Sequence, residues 1–448
     1  MITRTVASWV AGLAPSMVPE DVRMTLRLLG LDTFGAALAG ADLPWTRAIR
    51  DWAVAGGAAG ADGATVWGTR RRLRAADAAL VNGAAAHAYE LDDFHNAKLH
   101  LGAVMLPTVF AVGEARGASM QRMEVALAAG YEVAIRSSLA LVPAHARLRG
   151  WHLTAVCGPL GAAAAAAVIL GLDAERTAWA LGLAGTQSGG LYAFSVDGTD
   201  SKRFHPGRAA HAGVMSAEMA GLGLTGPASL YEAEDGGWLR AFSDCPEPAQ
   251  LTLALGDRWH ARETNFKPYG CCGSVHPHVD AALALRERWR QGARVRAGMA
   301  SVVDVQCGYP YVPGTALNAQ MSARYALAVA LLDGAVLPDQ FSPRHLNDPL
   351  IVDLANRIDI VRDPDLDARY PREFCGWVEV DTDTGPVRVD VDNPSGGAGN
   401  PGRADGIRSK FEALTHPRLG PERAAFIARR FIGFGETPID EMLSTAAD

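Results

Sequence analysis

The segment Ser201-Lys202-Arg203-Phe204-His205-Pro206-Gly207-Arg208 places four groups able to carry positive charge, Lys202, Arg203, His205 and Arg208, within seven residues. Pro206 leads into the small-residue run Ala209-Ala210-His211-Ala212-Gly213, which reads as helix. Proline suits a first helical position, where its missing N–H is no loss. The free N–H groups of a first turn and the helix dipole both favour an anion. The expectation is a cationic pocket for a carboxylate or phosphate at a helix start opened by Pro206. A solvated charge run is the competing reading of the same residues.

Four further segments concentrate reactive side chains. Glu90-Leu91-Asp92-Asp93-Phe94-His95, followed by His100-Leu101-Gly102, sets carboxylates beside histidines. Such a set suits acid–base work or metal ligation, or else a polar helix end. Gly150-Trp151-His152 precedes an apolar run, where one histidine is a cap, a packed ring or a catalyst. Lys267-Pro268-Tyr269-Gly270-Cys271-Cys272-Gly273-Ser274-Val275-His276-Pro277-His278 lies where the texture of the chain changes. Domain junctions favour ligand clefts. In Asn318-Ala319-Gln320-Met321-Ser322-Ala323-Arg324-Tyr325 the tyrosine is a site residue or a core residue with a satisfied hydroxyl. No G-x-G-x-x-G follows a strand, and no Walker loop, H-E-x-x-H or G-x-S-x-G occurs. What remains suits proton transfer near an anionic substrate without a cofactor.

Composition sets the frame. The 448 residues are 49% hydrophobic and 20% charged, with net charge −7, as expected of a globular chain of two domains. Nothing predicts a nucleic-acid surface; Arg70-Arg71-Arg72-Leu73-Arg74 reads as an exposed turn. Six cysteines without C-x-x-C spacing fit reduced thiols in a cytoplasmic protein. The N-terminus does not read as a secretory signal. Leu153 to Leu172 carries no charge and is long enough for a membrane span. Its alanines, glycines and Pro159, with no aromatic belt, predict instead a helix buried among helices.

These segments need a scaffold. Periodicity predicts helices at Val22–Leu38, Ala75–Tyr89, Gln121–Leu139, Leu153–Leu172 and Ala174–Gly185. Small residues at three- and four-residue spacing allow close helix approach. Near Asn265 the pattern changes. Ser301 to Gln306 reads as a strand, and residues 377–381 and 387–391 read as a hairpin turning through 382–386. Helical pattern occupies Ala319–Leu332 and Asp348–Ile358, then returns at Ala404–Leu414 and Pro421–Phe431. The predicted fold is mainly α. A large all-helical domain is built from both chain ends, 1–264 and 396–448, with a smaller α+β lid domain, 265–395, inserted.

Together the five segments resemble the MmgE/PrpD family, which includes 2-methylcitrate dehydratase, cis-aconitate decarboxylase and iminodisuccinate epimerase. The resemblance runs through Gly150-Trp151-His152, Ser201-Lys202-x-x-His205-x-Gly207, Lys267-x-Tyr269 with His276, Ala319-Gln320 with Tyr325, the Asn393 to Pro401 loop and Lys410-Phe411. It implies a helical domain with an inserted lid, a cleft between them, a homodimer and no metal or organic cofactor. It also implies that His100, His152, Lys202, His276, Tyr325 and Asp93 belong to the catalytic set. Glu90, Phe94, Arg203, His205 and Lys267 fall in the substrate-binding set, with Lys202 and Lys267 holding carboxylates. Glu90 stands where decarboxylase-like members carry aspartate, Phe94 where they carry threonine, and Leu101 where a proline is usual. The activity so implied is a lyase acting on a small anionic polycarboxylate. Dehydration comes first, then epimerisation, then decarboxylation because of Glu90 and Phe94, then binding without catalysis.

Overall fold

The computed structural model describes residues 1–57, 60, 63–370, 372–433 and 439–447. The fold is mainly helical, with a smaller α+β part. One core gathers apolar side chains from Val6 to Phe266 and from Ile407 to Ala446, so the two ends of the chain pack together. Its centre is the helix Leu153–Leu170, buried along almost its whole length as its uncharged, small-sided sequence predicts. Helices Met120–Ala140 and Ser201–Gly221 flank it.

Close approach is set by glycine. A Cβ on Gly83 would lie 2.7 Å from the Cα of Gly207, and one on Gly207 would lie 2.2 Å from the carbonyl oxygen of Leu80. The helices Ala75–Ala86 and Ser201–Gly221 therefore touch backbone to backbone. His87 caps the end of the first and Lys202 lies in the opening turn of the second. The crossing brings these two residues together.

The second core runs from Cys271 to Val380, with Phe194 joining it. It holds a four-stranded sheet in the order Asp359–Arg362, Val295–Met299, Gly376–Thr382, Gly385–Val391. Val295–Met299 runs parallel to Asp359–Arg362 and antiparallel to Gly376–Thr382. Val378 pairs with Val389 across the predicted hairpin. The helix His276–Leu285 packs on this sheet, with His278 Nε2 2.9 Å from the carbonyl oxygen of Gly298.

Three local expectations are corrected. Pro206 does not open its helix, which begins at Ser201. Proline there has no N–H for the Lys202 carbonyl, so the helix forgoes one backbone bond near its start. Ser301–Cys307 is helix, not strand. Its buried residues Val303, Gln306 and Cys307 sit at three- and four-residue spacing, and the strand lies just upstream. The predicted helix Ala319–Leu332 is two, Ala316–Gln320 and Ala323–Asp333, because Ser322 caps the second. At the C-terminal end Gly420, with φ 72°, kinks the long helix Arg403–Ile432 between its two predicted halves.

Candidate active site

Where the two cores meet, a narrow pocket leaves about 50 Å³ free, room for a few waters. Its walls include Phe94, Lys98, His100, Arg147, His152, Tyr192, Cys272 and Gln306. Behind one wall stands a buried charge network. Glu90 accepts from Lys202 Nζ through one carboxylate oxygen and from Lys267 Nζ at 3.0 Å through the other. Lys202 Nζ also donates to His87 Nε2 at 2.9 Å. The opposite nitrogen of His87 donates to Asp92 at 2.8 Å. Burial pushes the Glu90 carboxyl upward, but Lys202 and Lys267 outweigh it and hold Glu90 well below the ordinary carboxylate range. Burial lowers Lys202 despite Glu90. For Lys267 the attraction of Glu90 and Asp92 overcomes burial. Glu90 keeps a left-handed backbone, φ 58°, unusual for a residue with a side chain.

Four histidine rings form a chain. Centroids of His87 and His100 lie 4.8 Å apart, His100 and His152 6.3 Å, and His152 and His205 5.0 Å. His100 Nδ1 lies 3.0 Å from the carbonyl oxygen of Asp93 and must donate to it, which fixes the tautomer and leaves Nε2 without a proton. His152 and His205 share a 2.8 Å hydrogen bond through their Nδ1 atoms. Burial, helped by the lysines, pushes His100 well below its usual pKa. Burial and then His205 do the same to His152. Both rings are neutral near pH 7 and able to take a proton.

The predicted residues separate into groups. His100, His152 and Phe94 border the pocket. Lys202, Lys267 and Glu90 form the network behind it, so Glu90 faces two lysines and both lysines are engaged by it. His205 backs His152. Four other predicted residues also lie off the pocket wall. The hydroxyl of Tyr325 donates to the Gln340 carbonyl oxygen at 2.5 Å, and its ring packs between Tyr311 and Phe341, so it is a core residue. The Asp93 carboxylate accepts from Gly102 N–H at 2.7 Å and Tyr131 OH at 2.6 Å, away from the pocket. Its carbonyl oxygen orients His100. Arg203 holds the Ala88 carbonyl oxygen and Gln320 Oε1 and stacks over Trp45. His276 lies behind Phe94, its ring edge-on to Phe94 and Tyr269.

Sequence reasoning missed His87, Lys98 and Arg147. His87 stands three residues before Glu90 and five before Asp92, a spacing that could have flagged it. Lys98 and Arg147 are lone cations with no such signal. Support comes also from the buried Lys410, which pairs with Asp32 at 2.5 Å and donates to the carbonyl oxygens of Leu91 and Lys267. It pins the two backbones that carry the network.

His87, Asp92 and His100 offer ligand atoms within 4.8 Å of one another. The donor set does not suit a divalent ion. Both His87 nitrogens are engaged, and an ion on Nε2 would face the Lys202 ammonium.

A helical scaffold from both chain ends, a second α+β core and a histidine–lysine–carboxylate site between them define the class. The chain belongs to the MmgE/PrpD family: residues 4–251 match its N-terminal domain and residues 269–431 its C-terminal domain. It is 31% identical over 452 residues to a cis-aconitate decarboxylase-like protein of Aspergillus oryzae, covering 94% of this chain and 92% of that one. Cis-aconitate decarboxylase of Aspergillus terreus is 31% identical over 422 residues, 88% of this chain and 85% of that one. The Homo sapiens cis-aconitate decarboxylase is 27% identical over 377 residues, 81% of this chain and 77% of that one.

Proposed function

We propose that the protein is a cofactor-independent lyase of small polycarboxylates, and that it releases carbon dioxide from an acid of the cis-aconitate type. One observation carries the reading: His100, neutral and held in a single tautomer by the Asp93 carbonyl, borders the pocket beside His152. In decarboxylation the electron pair of the breaking C–C bond moves through the adjacent double bond, and the far alkene carbon takes a proton. A histidine that picks up a proton when the polyanion binds can deliver it. The fixed charges of Lys202 and Lys267 favour the electron-rich transition state without reorganising.

The sequence alone ranked dehydration first and decarboxylation third. Relatives named as cis-aconitate decarboxylases support placing decarboxylation first. Dehydration remains the second reading, favoured by Lys98. Burial lowers this ammonium to about 8, which suits protonation of a leaving hydroxyl while a neutral histidine removes the C–H proton. Within this proposal the enzyme works as a cytoplasmic homodimer without metal or organic cofactor.

Incubation with cis-aconitate and with 2-methylcitrate in deuterated water tests the reading. Carbon dioxide release with one carbon-bound deuterium in the product is expected. A new unsaturated absorbance from 2-methylcitrate alone would move the assignment to dehydration. Solvent exchange without net product would make it an epimerase. Neither exchange nor product from either acid would overturn the lyase.

A further inference from the structure

Positive charge reaches the pocket from two directions, and only one of them is neutralised. Lys202 and Lys267 meet at Glu90. Lys98 and Arg147 also line the pocket, and among the described residues neither forms an ion pair with a carboxylate. Lys98 Nζ lies 4.5 Å from the ring centre of Tyr370 and touches Gln306 Oε1 only at the 3.5 Å limit. The Arg147 guanidinium lies 3.2 Å from the ring centre of Tyr192, and its Nε is buried without a hydrogen-bond acceptor. Arg147 is close enough to disfavour the charge on Lys98. A group able to become an anion, the Cys272 thiol, lines the same pocket and favours the Lys98 charge. Its sulfur already accepts from Gln306 Nε2 at 3.2 Å and from the Cys307 thiol.

Two cations facing one pocket with aromatic partners and no carboxylate have only the Cys272 sulfur, lowered to about 6 by the Cys307 thiol and by Lys267, to offset their charge. Placing Lys98 there also requires a left-handed backbone, φ 64°. Such strain persists only where the surrounding structure enforces it. Gln306 faces the same cation. Its amide N–H groups donate to Tyr192 OH at 3.0 Å and to Cys272, which turns its Oε1 towards Lys98.

We infer that Lys98 and Arg147 are the specificity-determining residues that clamp a substrate carboxylate, while the Glu90-bound lysines supply field rather than direct binding. This rests on the polycarboxylate reading above. The clamp grips the carboxylate remote from the reacting carbon, which lies against His100 and His152. Because the Lys98 and Arg147 charges converge on one small space, the pair selects acids whose third carboxylate reaches it. Dicarboxylates lacking that group bind more weakly.

The test uses the full chain and tricarballylate, a saturated tricarboxylate that cannot react, with glutarate as the two-carboxylate control. Calorimetry should show tricarballylate bound by the wild type more tightly than glutarate. Lys98→Met and Arg147→Met should each weaken tricarballylate by about tenfold or more, the scale of a lost charge-assisted contact. Glutarate affinity should change little, and Lys98→Arg should retain most of the tricarballylate affinity. Thermal melts confirm that each variant is folded. Wild-type binding that survives both methionine variants unchanged would overturn the clamp and leave the lyase reading standing. No wild-type binding of either acid would overturn the polycarboxylate reading itself.

Discussion

The two pairs of cations at this pocket are built from the same side-chain chemistry and held in opposite ways. Lys202 and Lys267 are fully buried and converge on Glu90, with His87 and Asp92 completing the network. Lys98 and Arg147 are half-buried and rest against the rings of Tyr370 and Tyr192. A buried ammonium with a carboxylate partner is a fixed part of the scaffold, costly to disturb from either side. An ammonium beside an aromatic face keeps its charge available. The difference separates what shapes the field at the reacting carbon from what grips the incoming acid.

Breaking the first pair should have the largest effect on stability. Glu90→Gln leaves two buried ammoniums facing a neutral amide and should cost about 3–5 kcal/mol in urea unfolding. Lys98→Met should fall within about 1 kcal/mol of wild type in the same assay. Equal costs would erase the distinction. His100→Asn touches neither pair and should lower kcat by about 10²–10⁴-fold with an unchanged melting temperature. A comparable loss from His276→Asn with its fold intact would move the proton-transfer role behind Phe94.

Phe94 lies between the two sets, edge-on to His276 and Phe374. Phe94→Thr should cost about 2–3 kcal/mol of packing and widen the range of substrates accepted. The preference for a third carboxylate should stay, because the cations are untouched. The smallest effect is a pH dependence. Lys98 is faced by Arg147, Gln306, Cys272 and Cys307. Burial lowers it to about 8, so its cation is complete below that pH and lost above it. The KM for a tricarboxylate should hold steady towards pH 7 and rise above pH 8, by up to about tenfold per unit. Lys98→Arg should remove that rise.

Much of this was legible in the chain. Alanine-rich helices and the 377–391 hairpin follow from periodicity, and those segments formed as read. Pro206 misled because proline's preference for a first turn is statistical, whereas Ser201 starts the helix five residues earlier. The valines after Ser301 imitate a strand, and only the burial of Val303, Gln306 and Cys307 reveals the helix. Within the site, His100 and His152 were visible as types beside acidic or apolar runs. The partnership of Glu90 was not, because its lysines lie 112 and 177 residues away. Tyr325 is the converse case, placed in a core rather than on the pocket wall. Its hydroxyl is satisfied by the Gln340 carbonyl, a partner no spacing announces.

The contact between Gly83 and Gly207 has a consequence for how this pocket can diversify. No side chain separates those two backbones, so the spacing of His87 from Lys202 cannot be adjusted by exchanging one filler residue for another. That half of the catalytic surface is fixed like a casting. New substrate preferences must be written on the opposite wall, at Lys98, Arg147 and Phe94, where a single replacement alters charge or room without moving a helix.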